Sequence, residues 1–402
     1  MSAHPMPQGW KPSIYASKST SNGCKKRKAA PGKGILPMGT NPAAGRSLQQ
    51  IGGTDWLKFM AALLVVANHT SPLASISPQA DFLVAGLISR VAVPIFFIGS
   101  GFFLFRKFTN DSSANRSAVV RYTNKIALLY GLSILIYLPL NFYRGDFSKG
   151  LNVWAGLRDL VLDGTFYHLW FFPALWIGIW LIYALSRLPS LTWAWITAAA
   201  LYGFGLLGDS YYHFATDILH LKPVYDVLYQ GMDYTRNGLF FAPLPILVGA
   251  AFARHTRPTS RPSRSVRVRL GTASLLAVLL LIAEGEWVRS LGLPRHDSMY
   301  LFSIPAAFLL FAWAATWNVR GSKRLRAWRT WVYILHPLAI VLVRGAAKAI
   351  NGEQLLIANS PVHYLVVCLV SVALSALAAA AMSRFGMRRQ ATRMQREQIN
   401  VP

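Results

Sequence analysis

The sequence is dominated by apolar runs, each about as long as the roughly 20-residue helix that crosses a lipid bilayer. The chain is 53% hydrophobic and only 14% charged, and its mean hydropathy is +0.35. The runs lack the alternation of apolar and polar residues that marks a barrel strand. Because backbone groups in lipid must bond to one another, the runs predict an all-α polytopic membrane bundle of ten transmembrane helices. The predicted spans are 56–74, 82–105, 125–142, 166–186, 190–208, 236–253, 270–288, 298–317, 330–347 and 363–383.

The basic residues indicate how the bundle is oriented. The 41 lysines and arginines outnumber the 15 acidic residues and give a net charge of +26. In a soluble chain this charge would indicate nucleic acid. Here most basic residues fall in alternate loops and at both chain ends, and membrane proteins collect lysine and arginine on the cytoplasmic side. We therefore predict a multi-pass protein of the plasma (inner) membrane with both termini cytoplasmic, and no nucleic-acid partner.

Composition also divides the chain. Residues 1–51 are polar, basic and rich in glycine, proline and serine, which is typical of a disordered cytoplasmic tail. No apolar segment follows Met1, so no cleavable signal peptide is expected. The integral-membrane domain is predicted at 52–384 and a second basic tail at 385–402. The two cysteines, Cys24 and Cys368, exclude a disulfide scaffold and a cysteine-rich zinc site, and no metal is expected.

Ionisable residues inside a span are costly, so each is a candidate functional residue. In the first span, Lys58 and His69 are eleven positions apart. At about 100° per residue they share one helix face, about 16 Å apart along the axis. Asp55 lies near the same stripe. Snorkelling explains Lys58 alone and helix packing explains His69 alone, but the aligned pair favours a function.

The second span carries a further charge and several small residues. Arg90 lies in its predicted outer half, where an arginine needs an anionic partner from the protein or a substrate. Pro94 and the Gly-Ser-Gly run at 99–101 predict a distorted helix that another backbone or a ligand approaches closely. Within that run, Ser100 is explained better by packing than as a nucleophile. Arg106 at the cytoplasmic boundary is either ordinary loop charge or a contact for a phosphorylated ligand.

Four residues in later spans are further candidates for substrate binding. His168 and Trp170 open the fourth span, where an aromatic belt explains the tryptophan but not the histidine. Arg236 opens the sixth span from the outside. His336 lies in the ninth span beside Pro337, and a hydrogen bond to a neighbouring helix is the alternative to a functional role.

Several of these motifs resemble those of the family-3 integral-membrane acyltransferases, over about residues 52–383. They are a basic residue and a histidine separated by ten residues (Lys58 and His69), the second-span motif 90–104, His168-Leu169-Trp170-Phe171, the segment 236–241, and Tyr333-x-x-His336-Pro337. Position 58 is lysine where many members have arginine, which keeps the charge but loses the planar fork. The last two segments also resemble the membrane half of serine/alanine-racemase-type proteins, and we expect no counterpart of their soluble racemase domain.

The resemblance implies an O-acetyltransferase that moves an acyl group from cytoplasmic acyl-CoA to a hydroxyl on an outer acceptor. His69 would act as the general base or briefly carry the acyl group. Lys58, oriented by Asp55, would hold the donor with Arg106, and Arg90 would steady the acceptor or the developing oxyanion. The remaining expected substrate contacts are Ser100, His168, Trp170, Arg236 and His336.

The expected partners are membrane lipid, acetyl-CoA as a donor substrate, and a polysaccharide or lipid-linked sugar as acceptor; no bound cofactor is expected. The rival interpretation is a transporter or membrane scaffold without covalent chemistry. Buried histidines and arginines also line transport pathways, and the resemblance to racemase membrane domains favours the same alternative.

Overall fold

The computed structural model describes residues 52–145, 152–255 and 262–399, with the backbone alone from 385 onwards. All regular structure in these ranges is helical, which confirms the predicted all-α fold. The predicted tail 1–51 lies outside the described residues. The helices are α1 (Gly52–Thr70), α2 (Pro78–Asp81), α3 (Ala92–Phe105), α4 (Ser112–Arg144), α5 (Val153–Arg158), α6 (Phe171–Leu185), α7 (Leu191–Leu207), α8 (Lys222–Gly231), α9 (Pro243–His255), α10 (Arg264–Ser290), α11 (Ser303–Ala315), α12 (Lys323–Ala349) and α13 (Ser360–Ile399).

Every predicted span overlaps a helix, because an apolar run forms helix wherever it can bury or shield its backbone. Within the described ranges, five helical segments are long and apolar enough to cross a membrane, and they indicate a multi-pass membrane protein. The five are Pro78–Phe105, Ser112–Arg144, Arg264–Ser290, Lys323–Ala349 and Ser360–Arg384. Helices α6, α7 and α11 are apolar but shorter. Helix α13 continues to Ile399, so the predicted second tail is helical over most of its length.

Helix α4 buries several polar residues and exposes several large apolar ones. Its buried stripe contains Asn115, Thr123 and Ser133. Its outward side includes Leu128 and Leu135, which are 73% and 66% exposed. A helix in water shows the opposite arrangement. The outward leucines therefore suit a hydrocarbon environment, in agreement with the length and composition of this helix.

Glycines allow α3 and α9 to pack with their backbones in contact. A Cβ atom on Gly101 would collide with the carbonyl oxygen of Ile246, and one on Gly249 would collide with that of Ile98. Small residues are the usual means of close helix packing in membranes. The predicted close approach at 99–101 is therefore present, and Gly99 additionally faces the Lys58 side chain.

The segment that leads into α3 is irregular. After α2, the chain forms a π-helical turn, Phe82–Leu87, and then a 3₁₀ turn, Ile88–Val91. Pro94 lies in the first turn of α3, where its missing N–H costs no helical bond. The distortion predicted near Pro94 is thus found just before the proline, and it carries Arg90.

Contacts between connecting segments define two ends of the bundle. At the N-terminal end of α1, the carboxylate of Asp55 binds Arg326 near the start of α12. Beyond the C-terminal end of α1, Ser75 bonds to Ser360 at the start of α13. Helices α1 and α12 therefore run in the same direction, as alternating spans require. We call these the Asp55 end and the His69 end.

Candidate active site

A cavity of about 70 Å³ lies toward the His69 end. It is formed by α1, the 3₁₀ turn before α3, the turn before α6, the segments before α9 and α11, and α12. Elements far apart in the sequence therefore meet around one small space. The lining residues are Val65, Asn68, His69, Ser89, Arg90, Val93, Tyr167, His168, Trp170, Arg236, Phe241, Ser298 and Tyr333.

His69 occupies the last turn of α1 and presents its ring to this cavity. The ring stacks on His336 with centroids 5.2 Å apart and an interplanar angle of 23°. On another side it meets Tyr167, at 4.8 Å between centroids. No hydrogen bond to the imidazole is found within the described ranges. The neighbouring rings fix the orientation of His69 and leave its nitrogens open to a ligand.

Pro337 explains the orientation of His336. Because proline has no N–H, the carbonyl of Tyr333 one turn earlier loses its helical partner. The Nδ1 atom of His336 lies 2.8 Å from that oxygen. This contact assigns the proton to Nδ1 and leaves Nε2 as an acceptor, with no partner among the residues that the structure describes. The orientation of the His336 ring is thereby set by a backbone carbonyl that Pro337 leaves without its helical partner.

Tyr137 fills the rest of that gap. Its hydroxyl donates to the carbonyl of Ile334 at 2.6 Å and accepts from the backbone N–H of Leu338 at 3.3 Å. A tyrosine from α4 thus replaces a backbone bond that α12 would make without the proline. The side chain is fully buried. The alternative expected for His336 is a hydrogen bond to a neighbouring helix, but its Nδ1 contacts a carbonyl of its own helix, and the bond between α12 and α4 is made by Tyr137.

His168 is buried between aromatic rings rather than open to the cavity on all sides. Its ring lies 5.0 Å from Tyr137 and 5.1 Å from His336, measured between centroids. Its backbone carbonyl accepts a hydrogen bond from the hydroxyl of Tyr333. Neither ring nitrogen has a partner within the described ranges. The histidine that an aromatic belt does not explain therefore forms the inner wall of the cavity.

Arg90 is held by two hydrogen bonds. Its Nε donates to the carbonyl of Gly86 at 2.9 Å, and its Nη2 contacts the carboxylate of Asp297 at 3.0 Å. The side chain is 15% exposed. Asp297 thus supplies the anionic partner that the sequence requires for Arg90, from a loop that follows α10.

Arg236 is held differently. It donates from Nη1 to the hydroxyl of Ser298 at 2.8 Å. The guanidinium lies over the rings of Tyr234, at 3.9 Å, and Trp170, at 5.5 Å. No carboxylate within the described ranges forms an ion pair with it. Trp170 therefore contributes to the site by stacking on a cation, which is a better account of this residue than an aromatic belt.

Two buried carboxylates shape the loop that carries Asp297 and Ser298. Asp209, which follows α7, accepts from the backbone N–H groups of Ser298 and Met299 at 2.7 and 2.9 Å. Glu284 on α10 accepts from the backbone N–H groups of Leu301 and Phe302. Burial raises the pKa of the Asp209 carboxyl to about 6, although these N–H donors and Arg236 lower it. The loop that holds both arginines is thus itself fixed by acidic side chains.

The predicted donor residues lie away from the cavity, at the Asp55 end. Lys58 is 4% exposed, and its Nζ lies 4.1 Å from the centroid of the Phe103 ring. Within the described part of the chain, no hydrogen bond or ion pair to Nζ is found. Asp55 contacts Arg326 at 2.7 Å and Arg329 at 3.1 Å. The expected pairing of Asp55 with Lys58 is replaced by a pairing with α12.

Ser100 and Arg106 also lie outside the cavity. Ser100 donates to the carbonyl of Phe96 at 2.8 Å, which is a bond within its own helix. Arg106 follows the last residue of α3 and stacks near the Phe102 ring at 5.6 Å. The structure therefore brings together His69, Arg90, His168, Trp170 and Arg236, with His336 directly behind His69. It separates them from Lys58, Asp55, Ser100 and Arg106.

Several polar residues of the site have no sequence feature that marks them. Ser89 and Asn68 each precede a candidate residue, and the hydroxyl of Ser89 lies 3.4 Å from the Asn68 amide oxygen. Asp297 comes just before the predicted span 298–317, and Ser298 is its first residue. Their only signal was a pair of polar residues beside an apolar run, which is common in loops.

One group of side chains has the composition of a metal site. The carboxylates of Asp159, Asp163 and Asp233 lie within 4.8 Å of one another. Arg158 contacts all three, at 3.0, 3.4 and 2.9 Å. Its guanidinium takes the position from which a cation would neutralise them. This group is therefore explained as an ion-pair network between α5 and the segment before α9.

Comparison with known proteins gives the relationship of the whole domain. Residues 51–380 match the sequence model of a family described as an acyltransferase domain. The chain is also 34% identical over 334 residues to an amino-acid racemase of Enterococcus faecalis, covering 82% of this chain and 45% of that protein. A serine/alanine racemase of Enterococcus gallinarum is 32% identical over 322 residues, covering 80% of this chain and 45% of its own. The chain spans less than half the length of these curated relatives. No solved structure matches.

Proposed function

Since the chain belongs to acyltransferase family 3, we propose that it is a membrane O-acyltransferase. It moves an acetyl or other short acyl group from cytoplasmic acyl-CoA to a hydroxyl of a glycan or similar acceptor on the other side of the membrane. The observation that carries the proposal is an imidazole without a hydrogen-bond partner in the described chain, His69, placed in a cavity with Arg90 and Arg236.

The reaction follows from the chemistry of these side chains. A neutral His69 accepts the proton of the acceptor hydroxyl as its oxygen attacks the thioester carbonyl. The C–O bond forms, and the carbonyl oxygen becomes negatively charged. Arg90 stabilises this oxyanion from a position that Asp297 and Gly86 fix in advance. The C–S bond then breaks, and the thiolate of CoA receives the proton from His69.

The donor is proposed to enter from the Asp55 end, which we infer to be cytoplasmic. Acyl-CoA carries its phosphates at one end and its thioester at the other. Lys58 and His69 lie about 16 Å apart along α1. Residues 88–105 pass beside both, since Lys58 meets Phe103 and His69 shares its cavity with Arg90. Lys58, Arg329 and Arg106 would attract the anionic part of the donor while its thioester reaches His69.

The experiment is label transfer in membrane vesicles supplied with labelled acetyl-CoA. At matched protein levels, His69→Ala should reduce ester-linked label in glycan or lipid-linked sugar by about 100-fold or more, because general-base catalysis contributes that much. His213→Ala is the matched control, since this histidine is half exposed and pairs with Asp217. Equal label with His69→Ala and wild type would contradict the proposal.

A second candidate is non-covalent handling of amino acids, such as transport. It is favoured by the names of the relatives, which are amino-acid and serine/alanine racemases. Two arginines in a cavity also suit an amino-acid carboxylate. The donor separates the two candidates. Uptake of labelled serine or alanine into vesicles that proceeds without acyl-CoA, together with no ester product, would favour transport.

A further inference from the structure

The two cavity arginines differ in how much of their hydrogen-bonding capacity the protein uses. Arg90 contacts the carboxylate of Asp297 and the carbonyl of Gly86. Arg236 contacts one neutral hydroxyl, that of Ser298. The Nε of Arg236 is buried and has no partner in the described part of the chain. Leaving a buried N–H without a hydrogen-bond partner costs free energy. A ligand whose oxygen accepts a hydrogen bond from this N–H would recover that free energy on binding.

The surroundings of Arg236 hold its guanidinium in one plane. Tyr234 lies 3.9 Å from it on one face, and Trp170 contributes a second ring at 5.5 Å. With its faces engaged, the guanidinium can bind a ligand through the edge that carries its N–H groups. That edge matches the two oxygens of a carboxylate.

Nearby acidic groups leave this edge unoccupied. Asp297 contacts Arg90, and its carboxylate forms no ion pair with Arg236 in the described residues. Asp209 attracts Arg236 but forms no ion pair with it in the described residues. One of its oxygens accepts from the backbone N–H groups of Ser298 and Met299. One cation without a contacting anion suits a single negative charge better than a phosphate dianion.

We infer that the acceptor carries a carboxylate and that Arg236 binds it while His69 faces the hydroxyl to be acylated. This inference rests on the proposed function and adds the substrate class. It assigns different roles to the two arginines. Arg90 serves the reacting carbonyl, and Arg236 selects an acidic acceptor, such as a sugar acid, over its neutral counterpart.

The test is donor-free binding to the purified full-length protein in detergent, followed by the fluorescence of Trp170 and the other tryptophans. Three probes of matched size are methyl glucuronide, methyl glucoside and methyl glucoside 6-phosphate. We expect the glucuronide to bind at least about tenfold more tightly than the glucoside, as one charge-assisted pair of hydrogen bonds provides. The phosphate should bind less tightly than the glucuronide.

Two variants of Arg236 and one control variant test whether Arg236 causes the preference for the carboxylate probe. Arg236→Gln should remove the preference for the carboxylate, and Arg236→Lys should keep part of it, since lysine retains the charge but not the fork. Arg295→Gln should keep all of it. Arg295 lies over Tyr229 at 3.6 Å and does not line the cavity. Gel filtration of each variant confirms that it is folded.

Equal affinity for the three probes, including no measurable binding of any, would overturn the inference, as would a preference that survives Arg236→Gln. If methyl glucoside 6-phosphate binds most tightly of the three probes, the inferred acceptor is phosphorylated and not a carboxylate. Failure of this inference can be distinguished from failure of the proposed function. Carboxylate preference without acyl transfer would reject only the enzyme, whereas equal acylation of acidic and neutral acceptors would reject only the acidic-acceptor inference.

Discussion

Lys58 is the residue whose position is hardest to explain by stability alone. Its side chain is buried beside Phe103, and within the described residues no carboxylate forms an ion pair with it. Burying a charge without such compensation costs several kcal/mol, of which a cation–π contact returns about 1–2 kcal/mol. Asp55, three residues earlier, is used by Arg326 and Arg329 instead. This arrangement suits a cation whose partner arrives with a substrate.

Replacing Lys58 by methionine should therefore separate stability from function. Lys58→Met keeps the length of the side chain and removes the charge, so the melting temperature should stay equal or rise. The KM for acetyl-CoA should increase about tenfold or more, since a charge-assisted contact is lost. Lys125→Met, at an exposed position on α4, controls for the change in net charge. An unchanged KM in the Lys58→Met protein would exclude this lysine from donor binding.

At the scale of the elements, the contact between α3 and α9 positions the irregular segment that carries Arg90. A glycine at 101 is required there because any Cβ would collide with the carbonyl of Ile246. Gly131 on α4 provides a contrast, since a Cβ on it would meet nothing within 4 Å. The two positions are both helical glycines and differ only in their surroundings.

Gly101→Ala should destabilise the protein by about 1–3 kcal/mol, as overpacking does. Gly131→Ala should stabilise it by up to about 1 kcal/mol, because alanine restricts the unfolded chain and favours helix. Thermal unfolding of the two detergent-solubilised variants measures the difference. A Gly101→Ala protein as stable as wild type would contradict the close packing of α3 and α9.

The loop before α11 is held by hydrogen bonds to Asp209, and the contribution of Asp209 to the stability of the protein should vary with pH. Its folded-state pKa of about 6 lies above the value of about 3.9 for an unfolded aspartate. The folded state therefore binds the proton more tightly, and the stability contributed by this group is lost as the pH rises through about 6. In Asp209→Asn the decline in melting temperature between about pH 4 and pH 7 should be smaller than in wild type. Asp163, whose pKa burial also raises to about 6, is present in both proteins and cancels in the comparison. An identical pH dependence of the two proteins would contradict the assigned pKa of Asp209.

At the scale of the whole molecule, sequence patterns predict the helices well and the site only partly. Apolar run length is a local property, so each predicted span overlaps a helix, although only five helical segments in the described ranges are long and apolar enough to cross a membrane. The face shared by Lys58 and His69 follows from helical geometry, and the structure places both beside residues 88–105. The partners of charged residues are not local. Arg90 meets Asp297, 207 positions away, and Asp55 meets Arg326, 271 positions away.

Two features show why those partners could not be read from the sequence. The tautomer of His336 follows from the adjacent Pro337, but the hydroxyl that bonds to Ile334 and Leu338 beside it comes from Tyr137 on another helix. The loop that presents Asp297 and Ser298 depends on Asp209, which lies beyond three intervening helices. Such contacts arise from packing of elements that the sequence separates, and a single sequence contains no periodic signal for them.

The central claim is that one cavity transfers an acyl group from a donor on the Asp55 side to an acceptor on the other side. Oriented membrane vesicles test it most directly, because acetyl-CoA does not cross the bilayer. With labelled acetyl-CoA added outside, inside-out vesicles loaded with acceptor should accumulate ester-linked label in the lumen, and right-side-out vesicles should not. The label should be lost with His69→Ala and retained with His213→Ala. Labelled ester in the right-side-out vesicles, or label that survives His69→Ala, would contradict the account.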